Sequence, residues 1–411
     1  MIDQTGFSHI DNADRNRRVM LNIVRDRSPL TRREVASVCS LSMSTTKRLL
    51  ESLLQEGIVR ECTLELEGVQ AGRRGRKARA LCLTPGFAHA IGVNVVPGVI
   101  ELCTVDLEGH VLVQREIEMP DNRREAVMEQ VVREVRKLRE EIRGNGRLLG
   151  IGVGIAGVIN AREGLVLYCP NLPGWENVPL RDQLESTLGG EVIIDDGVRC
   201  LALAEKRYGQ GRDLETFLYL YFGRGVGAGI ILNNRFFRGS NGLSGEFGHI
   251  TVRDHGPLCN CGNNGCLEAL VSRTAILRSV QEMIAANVYS TLREKLSRQE
   301  PLTLEDIEQA AEAGDKLANM VIHGLGENIG TGVADLVNIF DPGVVVLGGE
   351  VIARFGDHLI EGIVQTVRLR GIHAITARTG ILTSSLEPTA AARGAATLMI
   401  ERFVGSEILS I

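Results

Sequence analysis

A change of patterning at Thr84-Pro85-Gly86 divides this chain into two parts that cannot share one architecture. Beyond it, apolar runs of strand length alternate with amphipathic helical stretches. Ala90 to Val96, Val99 to Val105 and Val111 to Ile117 read as strands, Arg123 to Ile142 as a long helix, and Leu148 to Ile155 as a buried strand. Glycines punctuate strand ends at Gly150-Ile-Gly-Val-Gly154, Gly223-Arg-Gly-Val-Gly-Ala-Gly229 and Leu347-Gly-Gly349. Repetition of strand and helix predicts mixed α/β lobes. Glycines after strands either let the backbone approach a phosphate or let turns pack closely, and the spacing leaves both open.

Before the boundary the pattern is different. Val19, Met20, Ile23 and Val24 recur at helical spacing from Arg15 to Arg27, and Ser28-Pro29 ends the run. Thr31 and Glu34 make a capping box for a short second helix with Val35 and Val38 on its apolar side. After the turn Cys39-Ser40-Leu41, Ser42 caps a third helix that ends at Gly57. Leu49, Leu50, Leu53 and Leu54 form its buried side. Ser42, Ser44, Thr45, Lys47 and Arg48 occupy its start and outer side, the residue types that reach phosphates and base edges when a recognition helix enters the major groove. Ile58 to Leu66 and Arg79 to Leu83 read as strands flanking Ala71-Gly-Arg-Arg-Gly-Arg-Lys-Ala78. That tip carries Arg73, Arg74, Arg76 and Lys77, cations that bind the DNA backbone by counterion release. Helices, cap and basic wing in this order predict a winged helix-turn-helix, with double-stranded operator DNA as partner.

Charge supports the division. Residues 1–85 hold 15 Lys/Arg against 10 Asp/Glu within a chain whose net charge is −5, so a basic segment precedes an acidic body. At 411 residues, with 44% hydrophobic and 24% charged side chains, the chain is a folded protein of two or three domains. No run reaches the roughly 18 uninterrupted apolar residues of a membrane helix, and the start has no signal-peptide core, so a cytoplasmic location is expected. Nine cysteines in such a chain are not a disulfide framework; Cys39, Cys62, Cys82, Cys103, Cys169 and Cys200 read as isolated buried thiols.

The other three cysteines are clustered. Cys259 and Cys261 form a CxC, Cys266 follows five residues later, and His249 precedes by ten. Three thiolates and one imidazole are the tetrahedral donor set of a structural Zn2+ site.

The segment Cys259-Asn-Cys-Gly-Asn-Asn-Gly-Cys266-Leu-Glu268, with Gly245-Glu-Phe-Gly-His249, Asn171-Leu-Pro-Gly-Trp175 and Asn338-Ile-Phe-Asp-Pro342 followed by Val344 to Gly349, resembles the ROK family of repressors, open reading frames and sugar kinases. The resemblance runs from about residue 15 to the C-terminus and points to the repressor branch, of the xylose and N-acetylglucosamine repressor type. It implies a two-lobed, actin-like and hexokinase-like α/β ATPase fold behind the winged helix. The expected domains are 1–85 for DNA binding, 86–195 for a first lobe completed by a helix in 388–411, and 196–387 for a second lobe with the zinc loop. It further implies that Asn171, Asp196, Glu246, His249 and Glu268 contact a sugar or sugar phosphate, and that the protein is a homodimer or homotetramer.

The residues that resemblance assigns to phosphotransfer are altered. Where active members carry Asp-x-Gly-Gly-Thr, this chain has Asn94 in place of the Asp and Val96 and Pro97 in place of the glycines. Counting back from Ala204-Glu205 puts Gly197 at the position of the catalytic Asp, and glycine cannot act as a base. A shifted register would bring Asp196 there instead. The small hydroxyl usual in the second phosphate loop is Arg224. The sequence thus predicts a carbohydrate-gene regulator, most simply a repressor, controlled by a sugar effector and without enzyme activity. The alternative is an ATP-dependent sugar kinase with a DNA-binding appendage.

Overall fold

The computed structural model describes residues 9–63, 79–387 and 389–409. Arg73, Arg74, Arg76 and Lys77 lie outside the described residues. The N-terminal segment contains α1 (His9–Arg27), β1 (Leu30–Thr31), α2 (Arg32–Val38), α3 (Met43–Gln55), β2 (Val59–Thr63) and β3 (Arg79–Leu83). It is followed by β4 (Ala88–Val96), β5 (Val99–Asp106), β6 (Val111–Glu118), α4 (Arg124–Glu141) and β7 (Arg147–Ile155). Next come β8 (Val158–Asn160), β9 (Leu165–Tyr168), β10 (Glu176–Val178), α5 (Leu180–Leu188), β11 (Val192–Asp196), α6 (Gly197–Tyr208), β12 (Phe217–Phe222), β13 (Val226–Leu232) and β14 (Arg235–Phe236). The remainder is α7 (Leu267–Val271), α8 (Arg273–Ala285), α9 (Arg293–Ser297), α10 (Leu304–Glu312), α11 (Lys316–Phe340), β15 (Val344–Gly348), α12 (Glu350–Arg370), α13 (His373–Thr376), β16 (Gly380–Thr383) and α14 (Ala390–Val404). Among the described residues no helix is long and apolar enough to cross a membrane.

Local chemistry sets the N-terminal elements. The Thr31 and Glu34 capping box is formed in both directions, and the Ser42 hydroxyl accepts from Thr45 N–H at the start of α3. Leu50 and Leu53 of α3 are buried with Met20 and Val24 of α1 and Val35 of α2. The three strands form a sheet in the order β1-β3-β2, with Val59 opposite Leu83 and Thr63 opposite Arg79. One expectation fails here. Cys62 and Cys82 are not isolated buried thiols: they are half-buried and joined by a disulfide across β2 and β3. Twenty residues separate them in sequence, so only the pairing of the two strands could bring them together.

The chain packs as two compact units, one comprising Met1–Val153, Pro179–Ile194 and Ala392–Ser410, the other Gly154–Val178 and Asp195–Ala391. In the first, a five-stranded sheet of order β11-β7-β4-β5-β6 carries the antiparallel meander β4-β5-β6. Helix α14 lies on its central strands so closely that a Cβ on Gly92 would stand 1.9 Å from the Ala392 carbonyl oxygen and one on Gly152 1.7 Å from that of Ala395. Gly152, read from sequence as a phosphate-loop or packing glycine, is thus a packing glycine. The N-terminal helices share one apolar core with this layer: Met20, Val24, Leu50 and Leu53 join Ala90, Val105, Ala396, Met399 and Val404. Arg25 pairs with Glu401 at 2.8 Å, both buried, and Asn22 Nδ2 donates to the Val404 carbonyl at 3.1 Å.

The second unit is built on a mixed sheet of order β14-β13-β12-β15-β16. Its β12 and β13 form an antiparallel hairpin, and β15 runs parallel to both β12 and β16. A parallel neighbour needs a crossover, and α11 and α12 supply it on either side of β15. Leu325, Ile329 and Val333 of α11 meet Leu359 and Ile363 of α12 in a large apolar core with Leu218, Leu220 and Val345 of the sheet.

Candidate functional site

All five residues that resemblance assigned to the sugar lie in the second unit. The short loop 259–266 turns through Gly262 and Gly265, whose φ angles of 93° and 71° favour glycine. It folds back so that Leu258 bridges Asn264 and Thr251 bridges Cys266. This brings four ligand atoms, one each from His249, Cys259, Cys261 and Cys266, within 4.8 Å of one another. Cys259 Sγ stands 3.6 Å from His249 Nδ1, and Cys261 Sγ 3.6 Å from Cys266 Sγ. Tetrahedral coordination at ordinary Zn–S and Zn–N lengths requires ligand separations of about 3.5–3.8 Å. Two of the ligand separations fall in that range and all lie within 4.8 Å, so the four groups form a cluster that could hold a metal ion.

His249 links this cluster to the carboxylates. With Nδ1 facing Cys259, its Nε2 faces Glu246 Oε2 at 3.8 Å. Burial, then the nearby Asp196 carboxylate, pushes the Glu246 carboxyl up to about 7, with Arg199 opposing and Glu268 adding to the rise. Glu268, in the first turn of α7, is fixed by the Val226 N–H, which donates to Oε2 at 2.9 Å. Asn171 is exposed; its backbone N–H donates to Cys169, a buried thiol pushed up to about 11 by desolvation and close enough to sense Asp196. Glu246 is thus an electrostatic neighbour of both Asp196 and Glu268, with His249 against it and Asn171 reached through Cys169. Clustered acceptors of this kind suit a polyol ligand, because paired hydrogen bonds discriminate hydroxyl positions.

Asp195 and Asp196 divide their roles sharply. Asp195 is buried, with Oδ1 accepting from Arg199 Nε at 2.6 Å and Oδ2 from Arg238 Nη2 at 2.6 Å. Burial by itself would raise its pKa, but the two guanidinium groups hold the carboxyl well below the usual range. Arg199 also donates to the Ser244 and Ile159 carbonyl oxygens, tying the 159 and 244 segments to α6. Neither arginine was singled out from sequence; the signal available was a cation four residues after Asp195 in the otherwise apolar first half of α6. Asp196 caps α6, its Oδ1 accepting from Val198 N–H at 2.9 Å and Arg199 N–H at 3.1 Å. Gly197 is the first residue of that helix and is buried.

The segment that resemblance aligns with a phosphate loop lies in the first unit. Val96 pairs with Val99, so Pro97-Gly98 is a two-residue turn with φ of 83° at Gly98. Proline brings no N–H to it, and the Gly98 N–H already donates to Asn122 Oδ1 at 2.6 Å. Asn94 is buried, its Nδ2 donating to Glu101 Oε2 at 3.0 Å. In the second unit Arg224 is exposed at the tip of the β12–β13 hairpin, beside Arg273, whose backbone N–H donates to the Gly223 carbonyl at 2.8 Å.

On α3, Ser42, Ser44, Lys47 and Arg48 are exposed. Thr45 is half-buried, and its hydroxyl lies 2.9 Å from that of Ser42. Thr46, not read from sequence as inward-facing, is buried beneath them.

The model of the ROK family matches residues 90–402. The chain is 30% identical to the xylose repressor of Caldicellulosiruptor bescii over 94% of this chain and 95% of that one. With the glucokinase of Thermotoga maritima it shares 31% identity over 67% of this chain and 87% of the enzyme. The crystal structure of a ROK-family transcriptional regulator, a homolog of the Escherichia coli Mlc protein, superimposes with a TM-score of 0.82 at 27% identity, covering 97% of each chain. With the family match spanning most of its length and a repressor aligned nearly end to end, this chain belongs to the ROK family.

Proposed function

We propose that the chain is a sugar-responsive transcription repressor whose kinase-like body has lost phosphotransfer. The observation that carries this reading is coverage. The repressor relative matches 94% of the chain, which leaves too few residues unmatched to omit the N-terminal segment as a whole, whereas the kinase relative matches 67%. The N-terminal segment then acts as a winged helix-turn-helix that places α3 in the major groove of an operator, in the cytoplasm where the chromosome lies. A single such unit reads one half-site, so a homodimer or homotetramer supplies the two-fold match. Asn171, Asp196, Glu246, His249 and Glu268 bind the effector, a sugar or a sugar phosphate.

A Zn2+ held by His249, Cys259, Cys261 and Cys266 plays a structural part in this reading. It fixes the His249 ring, and with it the side of the pocket that Glu246 occupies. Three features argue against phosphotransfer. Gly197 offers no base, Asp196 spends one oxygen on its helix cap, and the Pro97-Gly98 turn has no free amide for a phosphate.

Thermal denaturation in the presence of xylose, N-acetylglucosamine and their phosphates tests the effector claim, because a ligand that binds only the native state raises its Tm. No shift with any of them would count against a sugar effector. The kinase reading is favoured by one observation, the proximity of Asp196 to Glu246. An assay coupling ADP release to hexose phosphorylation distinguishes the two; sustained turnover would displace the repressor-only reading.

A further inference from the structure

We propose that Cys62 and Cys82 are a reversible thiol–disulfide couple, and that its oxidation state sets the DNA affinity of the N-terminal segment. The affinity half of this inference rests on the DNA-binding reading above. The couple itself does not.

The two cysteines occupy a diagonal on one face of an antiparallel pair: Cys62 lies opposite Ala80 and Cys82 opposite Arg60, with Cα atoms 6.2 Å apart. Diagonal neighbours across strands are within reach of each other's side chains. Both are half-buried, so a small thiol reagent reaches them, unlike the fully buried Cys103 and Cys200. Arg60, exposed and directly across from Cys82, puts a cation on the same face, with Glu108 as its acidic neighbour. A guanidinium near a thiol favours the reactive thiolate.

The strands do not need the link to find each other. β2 and β3 pair at five successive positions, and Leu81 and Leu83 are buried in the core beside Val59. Wherever thiol buffers keep cysteines reduced, a disulfide that small reagents reach is transient and responsive to oxidant. The link is therefore one the fold tolerates in either state. The ring it closes contains, in sequence, Arg73, Arg74, Arg76 and Lys77.

The reaction is thiol–disulfide exchange with a low-molecular-mass disulfide such as glutathione disulfide. One protein thiolate attacks a sulfur of the reagent, forming a mixed disulfide and expelling one glutathione thiolate. The second protein thiolate then attacks the protein sulfur of that mixed disulfide and expels the other glutathione. Two protein thiols lose two electrons and two protons, and one glutathione disulfide becomes two thiols. A dithiol reverses both steps. Once closed, the link locks the β2–β3 pair against opening, holding Cys62 opposite Ala80 and Cys82 opposite Arg60. The oxidised form is expected to bind DNA roughly fivefold more tightly.

The test uses the full-length protein, equilibrated either with glutathione disulfide or with excess dithiothreitol, alkylated, digested and mapped by mass spectrometry. A linked Cys62–Cys82 peptide in the first sample and two alkylated cysteines in the second are expected. Affinity is read by fluorescence anisotropy on a duplex selected by this protein from a random library. Oxidation should tighten wild-type binding, and the Cys62→Ser/Cys82→Ser protein should bind equally in both conditions. Should that double variant fail to fold, Cys82→Ala alone must also lose the response. Absence of the linked peptide, equal wild-type affinity in both states, or a response that survives in the variants and so belongs to Cys259, Cys261 or Cys266 would each overturn the inference. A mapped disulfide without DNA binding in either state would instead bring down the DNA-binding reading and the affinity claim with it.

Discussion

Glu101 shows how much one buried group can say. It sits on β5 with the Asn94 amide donating to it, opposite Glu116 on β6, and burial pushes its carboxyl up to about 7. A carboxyl raised above its unfolded value binds its proton more tightly in the folded state. Its contribution is therefore favourable at low pH and is lost as pH rises from the unfolded value through about 7. Glu101→Gln keeps the acceptor for Asn94 and removes the charge. We expect it to stabilise the protein by about 1–3 kcal/mol at roughly pH 8 and by nothing measurable near pH 4, by chemical denaturation at both. Equal effects at the two pH values would show that the charge is not what the site resists. Cys261 makes a complementary case. It is exposed, so Cys261→Ser forfeits little packing, yet it should lower Tm by on the order of 5–10 °C and abolish metal retention measured by elemental analysis.

At the scale of elements, α14 and α3 carry the testable consequences. Arg25 of α1 and Glu401 of α14 form a buried ion pair, so removing one partner leaves an uncompensated charge in an apolar core. Arg25→Met should destabilise by about 3–5 kcal/mol, and the double variant Arg25→Met/Glu401→Leu should recover most of that. Failure of the second substitution to rescue the first would show that Arg25 acts by some route other than its charge. On α3, Lys47 and Arg48 are exposed, and replacing both with Ala should weaken DNA binding and reduce the slope of log affinity against log salt by about 2. An unchanged slope in filter-binding titrations would remove α3 from the phosphate contacts.

For the whole molecule, the packing does not follow the order of the chain. The N-terminal helices share a core with β4, β5 and α14, close to the end of the chain, and the segment Gly154–Val178 packs with Asp195–Ala391. Local signals were legible: the Thr31 and Glu34 capping box, the Ser42 cap, the strands of the β4-β5-β6 meander and the spacing of the cysteine loop each depend on residues near one another. What could not be read were pairings between distant positions, among them Cys62 with Cys82, Arg238 with Asp195 and Gly92 with Ala392. Motifs supplied Asn171, Glu246, His249 and Glu268 of the candidate pocket, while Arg238, which helps to neutralise Asp195, was not found, because no periodicity announces a partner 43 residues away.

The sequence by itself determined the helix caps and the strand alternation, the spacing of three cysteines and His249 as a possible metal-binding set, and the presence of Asn94, Val96, Pro97 and Gly197 where the family resemblance puts phosphate-loop and catalytic residues. Helix caps, alternation and ligand spacing act over a turn or two, so the chain states them directly. Tertiary structure alone decided which of two adjacent aspartates is neutralised and which caps a helix, which glycines serve packing, and which cysteines meet. Those outcomes depend on what distant strands and helices bring within a few ångströms, and burial there changes the cost of a charge or the reactivity of a thiol in ways no local pattern encodes.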